Sequence, residues 1–488
     1  MGWKLLADCA IQRMIYGARV ISLWDSELWT LLSALAVCLV LLAMVRIAIN
    51  KLGLFMLSFF VFFSLAWRLL SVLYIDLAGP VFSEQLERDI GTGWAALPLA
   101  GSQGLVIAAL MYSFRKKRLA ALTSGPTLAD ILPAGRPTPS DLAHWVIGLF
   151  AVALWVELLI RGPIPIFAAM ERYDYSAQYG GPLHHRLIEW GPMLAFQLGV
   201  FFAAPSSRGR EFDLRFAVLF GIFILYLFVV GHRFSSFFSY SSFFILPVGA
   251  VLLANTTAAF DYAKIFRAAR LPIAVVAVLI LGALIYSYAI VRGFERDQLL
   301  FKLSQRIFVQ QGEMWWITYE RVFLRADWSP GQTFYKLFVN PLDPNRNSTM
   351  QWLMELALPL DRAHFILGKG SAYTGGWPEV LFELGGPVEG VALVALSAIL
   401  FSEFMFLLTR CIVQERYATC FFLTPLLYAF SLYVVTGMVN SFIQFTFLVK
   451  LMTAIFVFVA EEKWRSSLSG PLISCESLAA GEGGKRLE

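Results

Sequence analysis

The residues best suited to chemistry in this chain are fixed cations set between long apolar runs. Phe228 to Ser239 reads FVVGHRFSSFFS, with His232 and Arg233 in its middle. A guanidinium is planar and offers paired N–H donors, so it grips phosphate oxygens at two points. At the end of an apolar segment such a cation is costly unless it meets protein, water or an anion. Snorkelling to lipid headgroups is the competing use. A second stretch, RGPIPIFAAMERYDYSAQYGGPLHHRLIEWG, begins at Arg161 and carries Arg172 and the triplet His184-His185-Arg186, with Tyr173, Tyr175 and Tyr179 between. A third reads VRGFERDQLLFKLSQRIFVQQGEMWWITYERVFLRADW from Val291. Read as helix, it brings Arg292, Arg296, Arg306, Arg321 and Arg325 within about 100° of one another, with Gly312 as an interruption. Leu299, Leu300, Leu303 and Phe308 fall opposite. The pattern predicts an amphipathic helix with a cationic stripe at a membrane surface. Binding of anionic headgroups explains the same stripe without catalysis.

Three further ionisable groups lie in or beside these stretches: His364, Glu379 and Glu313. His364 and Glu379 flank GKGSAYTGGWPE, whose glycines permit tight turns. The run is not a phosphate-binding P-loop, because it lacks the G-x-x-x-x-G-K-[ST] spacing. Glu379 and Glu383, four apart, share a helix face. No C-x-x-C or other metal-ligand spacing occurs, and the five cysteines are scattered outside the long polar loops, so neither a metal, a cofactor nor a disulfide framework is expected.

The elements that must position these residues are membrane helices. The 488 residues are 58% hydrophobic and 15% charged, against about 45–50% and about 25% for soluble domains. A span needs about 20 apolar residues. Eleven candidates lie near 28–45, 53–75, 93–114, 144–160, 189–204, 216–231, 238–259, 271–291, 387–409, 419–438 and 441–460. Residues 1–27 are read as an interfacial segment or a weak twelfth span. They do not read as a signal peptide, because Asp8, Arg13 and Arg19 interrupt the apolar run. Charges inside the spans are few: Arg68, Glu157, Glu389, Glu403 and Lys450, with Arg68 and Glu157 a plausible buried pair.

Short-loop Lys and Arg orient the bundle. Arg46, Lys51, the RKKR run from Arg115, Arg208, Arg210, Arg215, Lys264, Arg267, Arg270, Arg410 and Arg416 fall on one side, with Lys463 and Arg465 of the tail. That side is assigned to the cytoplasm, which also holds the C-terminus. Two long loops then lie outside, 161–189 and 292–386, and long loops among short ones are usually functional. The expected organisation is an N-terminal segment 1–27, eight spans over 28–291, a large, mostly helical outer loop over 292–386, three spans over 387–460 and a disordered cytoplasmic tail over 461–488. The fold class is an all-α polytopic membrane protein.

Four stretches, in order from about 144 to about 410, resemble Wzy-type O-antigen and oligosaccharide repeat-unit polymerases of bacterial inner membranes, which are related to O-antigen ligases. They are RGPIPIFAAMERYDYS, VVGHRFSSF, SQRIFVQQGEMWW and PEVLFELGGPVEG. The arginine-x10-glycine spacing of some members is absent after Arg172 and Arg306. The related ligases place a histidine where this chain has GSAYTGGWPE, and here the nearest is His364. The resemblance implies a periplasmic large loop and a metal-independent glycosyltransferase. Donor and acceptor would be glycans on undecaprenyl diphosphate, and a chain-length regulator and a flippase are implied as companions in the bilayer. It casts Arg172, Arg233 and Arg306, backed by Arg292 and Arg296, as the grip on the leaving diphosphate, and makes His364, Glu379 and Glu313 the candidates for a base that takes the proton of the acceptor hydroxyl. Nothing in the sequence points to nucleic acid. A glycan ligase and a polysaccharide flippase or other transporter remain as alternatives; a transporter would favour internal repeats, and none is visible.

Overall fold

The computed structural model describes residues 23–91, 93–120, 122, 139–168, 170, 172–205, 212–232, 234–254, 282, 296–339, 349–368 and 375–481. Within them the chain is a mostly helical membrane protein. Seven helices are long and apolar enough to cross a bilayer, among them Leu28–Asn50, Phe59–Ala78 and Tyr417–Thr436. Helix α1 is Leu23–Asn50. The second expected span divides at Ser58 into α2, Leu52–Leu57, and α3, Phe59–Ala78. A hairpin of β1, Val81–Ser83, and β2, Arg88–Ile90, pairs Val81 with Ile90 and leads into α4, Ala96–Ser113. Helices α5, Pro139–Arg161, α6, Arg172–Gln178, α7, Pro182–Ala203, α8, Leu214–Val229, and α9, Phe234–Ala254, follow. The expected span at 271–291 lies outside the described residues except for Gly282.

The segment from Arg296 is not one amphipathic helix. It consists of α10, Arg296–Ser304, a π turn at Gln305–Val309, α11, Glu313–Tyr319, and a second π turn at Glu320–Leu324. Gly312 does interrupt the helix, as expected, because it lies against α3: a Cβ there would stand 2.9 Å from the Val72 backbone nitrogen. The π turns and the break shift the helical phase, so the arginines do not form one stripe. Arg321 pairs with Glu383 and Asp327, and Arg325 with Glu320. All seven residues of α11 are buried. Helices α12, Pro330–Phe334, α13, Thr349–Ala357, and α14, Leu360–Gly368, complete this segment.

The last elements are α15, Glu379–Val413, which kinks at Gly386, α16, Tyr417–Thr436, and α17, Phe445–Gly481. The hairpin, the segment over 296–368 and the starts of α7, α9 and α15 share one end of the bundle, here the upper end. The lower end is tied by basic residues. Arg118 clamps Glu403 through two bonds, at 2.5 and 2.7 Å. Arg465 donates to the carbonyls of Gln414 and Glu415 at 2.9 and 2.8 Å. The expected disordered tail is therefore corrected: helix continues through Gly481, anchored at Arg465.

Candidate functional site at the upper end

The corner joining α5 to α7 is organised by a carboxylate. Glu157 accepts the backbone N–H groups of Leu183 and His184 at 3.2 and 2.9 Å. A helix start leaves such donors unpaired, so a carboxylate from a neighbouring span satisfies both and offsets the helix dipole. Gly181 and Pro182 open α7, and a Cβ at Gly181 would collide with the Glu157 carboxylate. The expected buried pair of Arg68 with Glu157 is thus corrected: Glu157 is used as a cap, and Arg68 pairs elsewhere. The expected outer loop also shortens, because α7 begins at Pro182 and carries the His184-His185-Arg186 triplet on helix.

His184 is buried, with Nδ1 3.0 Å from the Tyr226 hydroxyl and its ring edge-on to Tyr175. Burial and, secondarily, Glu157 raise the Tyr175 phenol, and Arg161 opposes them. The preceding GPIPIF turn is fastened to α8, with Ile166 N–H donating to the Val229 carbonyl at 3.2 Å. This fastening sets the first cationic stretch beside the second. Burial pushes His232 down to about 3, and the nearby Arg172 charge is the next cause. The Arg172 guanidinium sits 4.6 Å over the Tyr173 ring and donates to its hydroxyl at 2.7 Å. Its Nε is enclosed without a hydrogen-bond partner among the described residues. Arg233, the residue after His232, lies outside the described residues, as does Arg292; Arg296 opens α10.

Aromatic contacts join this region to the third cationic stretch. Phe238, in the first turns of α9, packs on Phe63 of α3 with centroids 4.6 Å apart. Phe63 meets Trp67 at 5.8 Å, and Trp67 Nε1 donates to the Ile307 carbonyl at 2.9 Å. Arg306, exposed on the π turn, is the neighbour of Ile307.

The candidate bases occupy three different settings. Glu379 is fully buried at the start of α15, where Arg68 donates to its Oε2 at 3.2 Å and also to the Trp377 carbonyl. Gly375 and Gly376, at φ of 122° and 131°, turn the chain into this pair. A Cβ at Gly376 would collide with the Thr436 carbonyl at the end of α16. Glu313 is also fully buried. Ser83 Oγ of the hairpin donates to its Oε2 at 2.7 Å, yet burial outweighs that bond and pushes the carboxyl up to about 8. His364 is on the surface, its side chain 64% exposed, with Nε2 3.6 Å from Glu355. Among the described residues no group of three His, Cys, Asp or Glu side chains is arranged to hold a metal ion.

Sequence reasoning missed the polar partners that fix these groups: Glu157 as a cap, Tyr226, and Ser83. The Gly-Gly-Pro run before Leu183 was the available signal for the first, since Pro favours the opening position of a helix. The others are contacts between residues far apart in sequence. One protein family matches the chain: a family of unknown function, DUF6418, over residues 343–451, which takes in α13 to α16 and the first residues of α17. No curated protein and no solved structure matches.

Proposed function

We propose that this chain is a glycosyltransferase that polymerises oligosaccharide repeat units carried on undecaprenyl diphosphate. On this reading it spans a bacterial inner membrane eleven times, with its upper end outside and its C-terminus in the cytoplasm. The observation that carries the reading is the meeting of separate cationic segments at one end of the bundle. Arg172 stands close enough to His232 to bear on its protonation. The start of α9 is linked through Phe63 and Trp67 to the backbone beside Arg306.

In the reaction a hydroxyl oxygen of the acceptor sugar attacks the anomeric carbon of the donor. The bond from that carbon to the diphosphate oxygen breaks, and the lipid diphosphate leaves with the electron pair. Cations fixed beforehand stabilise the departing charge without reorganising. Arg172, Arg233 and Arg306 hold the diphosphate, with Arg292 and Arg296 behind them. The acceptor proton passes to a base. Of the three groups named from sequence, His364 is the one open to solvent, with the Glu355 carboxylate beside it to orient its ring.

The test is genetic. The gene is deleted, surface polysaccharide is resolved on a gel, and the strain is complemented with wild type, Arg233→Ala or Arg306→Lys. Loss of the long-chain ladder with single repeat units retained supports polymerisation. Both variants are expected to fail: Arg233→Ala removes the cation, and the ammonium of Arg306→Lys cannot reproduce a two-point grip. Polymer accumulating on its lipid carrier indicates a ligase instead, and an unchanged polysaccharide profile in the deletion strain refutes the assignment.

A further inference from the structure

The segment over 296–309 exposes an apolar face where a water-filled loop would place polar residues. Leu300, Phe301, Ile307 and Phe308 are all exposed, Leu300 at 63% and Phe308 at 46%. Their spacing puts them on one side of α10 and the π turn, while Gln305 and Val309 are buried on the other. The face continues onto α3. Phe308 packs on Tyr74 at 5.2 Å between centroids, and Leu70, Tyr74 and Leu77 form an exposed apolar row along that helix.

Two observations say what covers this face. The first is depth. Helix α3 is apolar enough to span a membrane and ends at Ala78. Its contacts with the segment are made by Trp67, Ser71 and Tyr74. At 1.5 Å per residue these lie about 6 to 16 Å below the upper end of α3. The second is hydrogen bonding. The chain turns at Gln310; the Val309 carbonyl accepts the Gly312 N–H at 3.0 Å, and the carbonyls of Ile307 and Phe308 just before it face α3. Side chains of the membrane helix supply donors to them: Trp67 Nε1 to Ile307 at 2.9 Å and Ser71 Oγ to Phe308 at 2.8 Å, with Ser71 Oγ also 3.2 Å from the Val309 carbonyl. The exposed Ser304 hydroxyl is turned back to the Phe301 carbonyl at 2.8 Å. In water such carbonyls need no protein partner. In hydrocarbon each unpaired one costs several kcal/mol, so internal satisfaction is the condition for entry.

We infer that residues 300–308 are seated in the membrane, with Leu300, Phe301, Ile307 and Phe308 against acyl chains of the bilayer's upper leaflet. The large segment after α9 is therefore not wholly outside the membrane. The π turn at Gln305–Val309 is a wedge docked along α3. This inference concerns bulk bilayer lipid and holds whatever reaction the protein performs.

The test uses the full chain in phospholipid nanodiscs. Cys9, Cys38 and Cys475 are changed to Ser, while Cys411 and Cys420 are buried and kept. An environment-sensitive fluorophore is attached at Phe308→Cys or at Leu300→Cys, with Tyr335→Cys, an exposed site on a later turn, as the reference. Lipids brominated near the glycerol end of the acyl chain should at least halve emission at both test sites and leave the reference unchanged. Aqueous iodide should quench the reference severalfold more strongly than the test sites. The two test sites are independent, so a variant that fails to assemble leaves the other to decide. Iodide quenching at Leu300→Cys or Phe308→Cys equal to that at Tyr335→Cys, with no effect of bromolipid, overturns the inference.

Discussion

Asp76, near the end of α3, accepts the Ala96 N–H at 2.7 Å and caps α4. Glu157, near the end of α5, caps α7 through Leu183 and His184. Above this shared device the two corners are finished differently. The first is covered. Trp315 Nε1 donates to the Ala95 carbonyl at 2.7 Å, and Trp94 N–H donates to the Tyr319 hydroxyl at 3.4 Å. The hairpin beside it is held by Lys302 to Glu84, Arg88 to Glu320, Arg362 to Glu87 and Ser83 to Glu313. Among the described residues the second corner carries the GPIPIF turn and the seven residues of α6, and Tyr173 and His185 are exposed there. Partnered charges bind the first corner into a scaffold. At the second corner the Arg172 Nε has no hydrogen-bond partner among the described residues, and on the proposed reading this guanidinium serves the diphosphate rather than the scaffold. Stability should therefore depend mainly on the first corner and its neighbours, and activity on the second.

The sharpest way to break that contrast is Arg68→Ala. It leaves Glu379 as an uncompensated buried charge, which costs about 3–5 kcal/mol. A large drop in Tm in detergent is expected, and Arg172→Ala should leave Tm close to wild type. Equal losses would erase the distinction between scaffold and working surface.

Glu313 tests the covered corner through pH. Its carboxyl is raised by burial from the ordinary 4.5 to about 8. Between those values the folded chain keeps a proton that the unfolded chain releases, so stability is fully present below the lower value. It falls as pH rises toward the upper one, by at most about 1.4 kcal/mol per pH unit. Glu313→Gln should flatten the fall in Tm between pH 5 and pH 8. A variant whose Tm tracks wild type across that range would contradict a buried neutral acid.

The smallest effect compares the caps themselves. Glu157→Gln keeps one acceptor oxygen and loses the charge, and Asp76→Asn does the same at the other corner. Each should cost about 1 kcal/mol. Chemical denaturation should give similar losses for both, while hydrogen exchange should rise around α7 for Glu157→Gln alone and around α4 for Asp76→Asn alone. Delocalised exchange in either variant would mean that the corners are not separate units.

The spans were legible because a run of apolar residues long enough to cross hydrocarbon has few other uses. Among the described residues seven helices are long and apolar enough to cross a bilayer, and each coincides with an expected run. The strand pair at 81–90 was not foreseen, since three-residue strands carry too few positions for alternation to register. The cationic stripe failed for a definite reason. A wheel at constant pitch cannot anticipate π turns at 305–309 and 320–324, and these rotate Arg321 and Arg325 toward carboxylates. The pairing of Arg68 with Glu379 was hidden because charge type names possible partners and only the packed bundle selects among them. The sequence grouped Arg172 with Arg233 and Arg306, and Arg233 lies outside the described residues.

The most direct measurement reconstitutes the purified full-length protein in nanodiscs with a lipid-diphosphate-linked repeat unit and follows chain growth by gel and mass spectrometry. The account predicts a ladder of products with release of lipid diphosphate, abolished in Arg172→Ala at unchanged Tm. Chain growth that survives Arg172→Ala at the wild-type rate would contradict the account, as would release of lipid diphosphate without any joining of sugars.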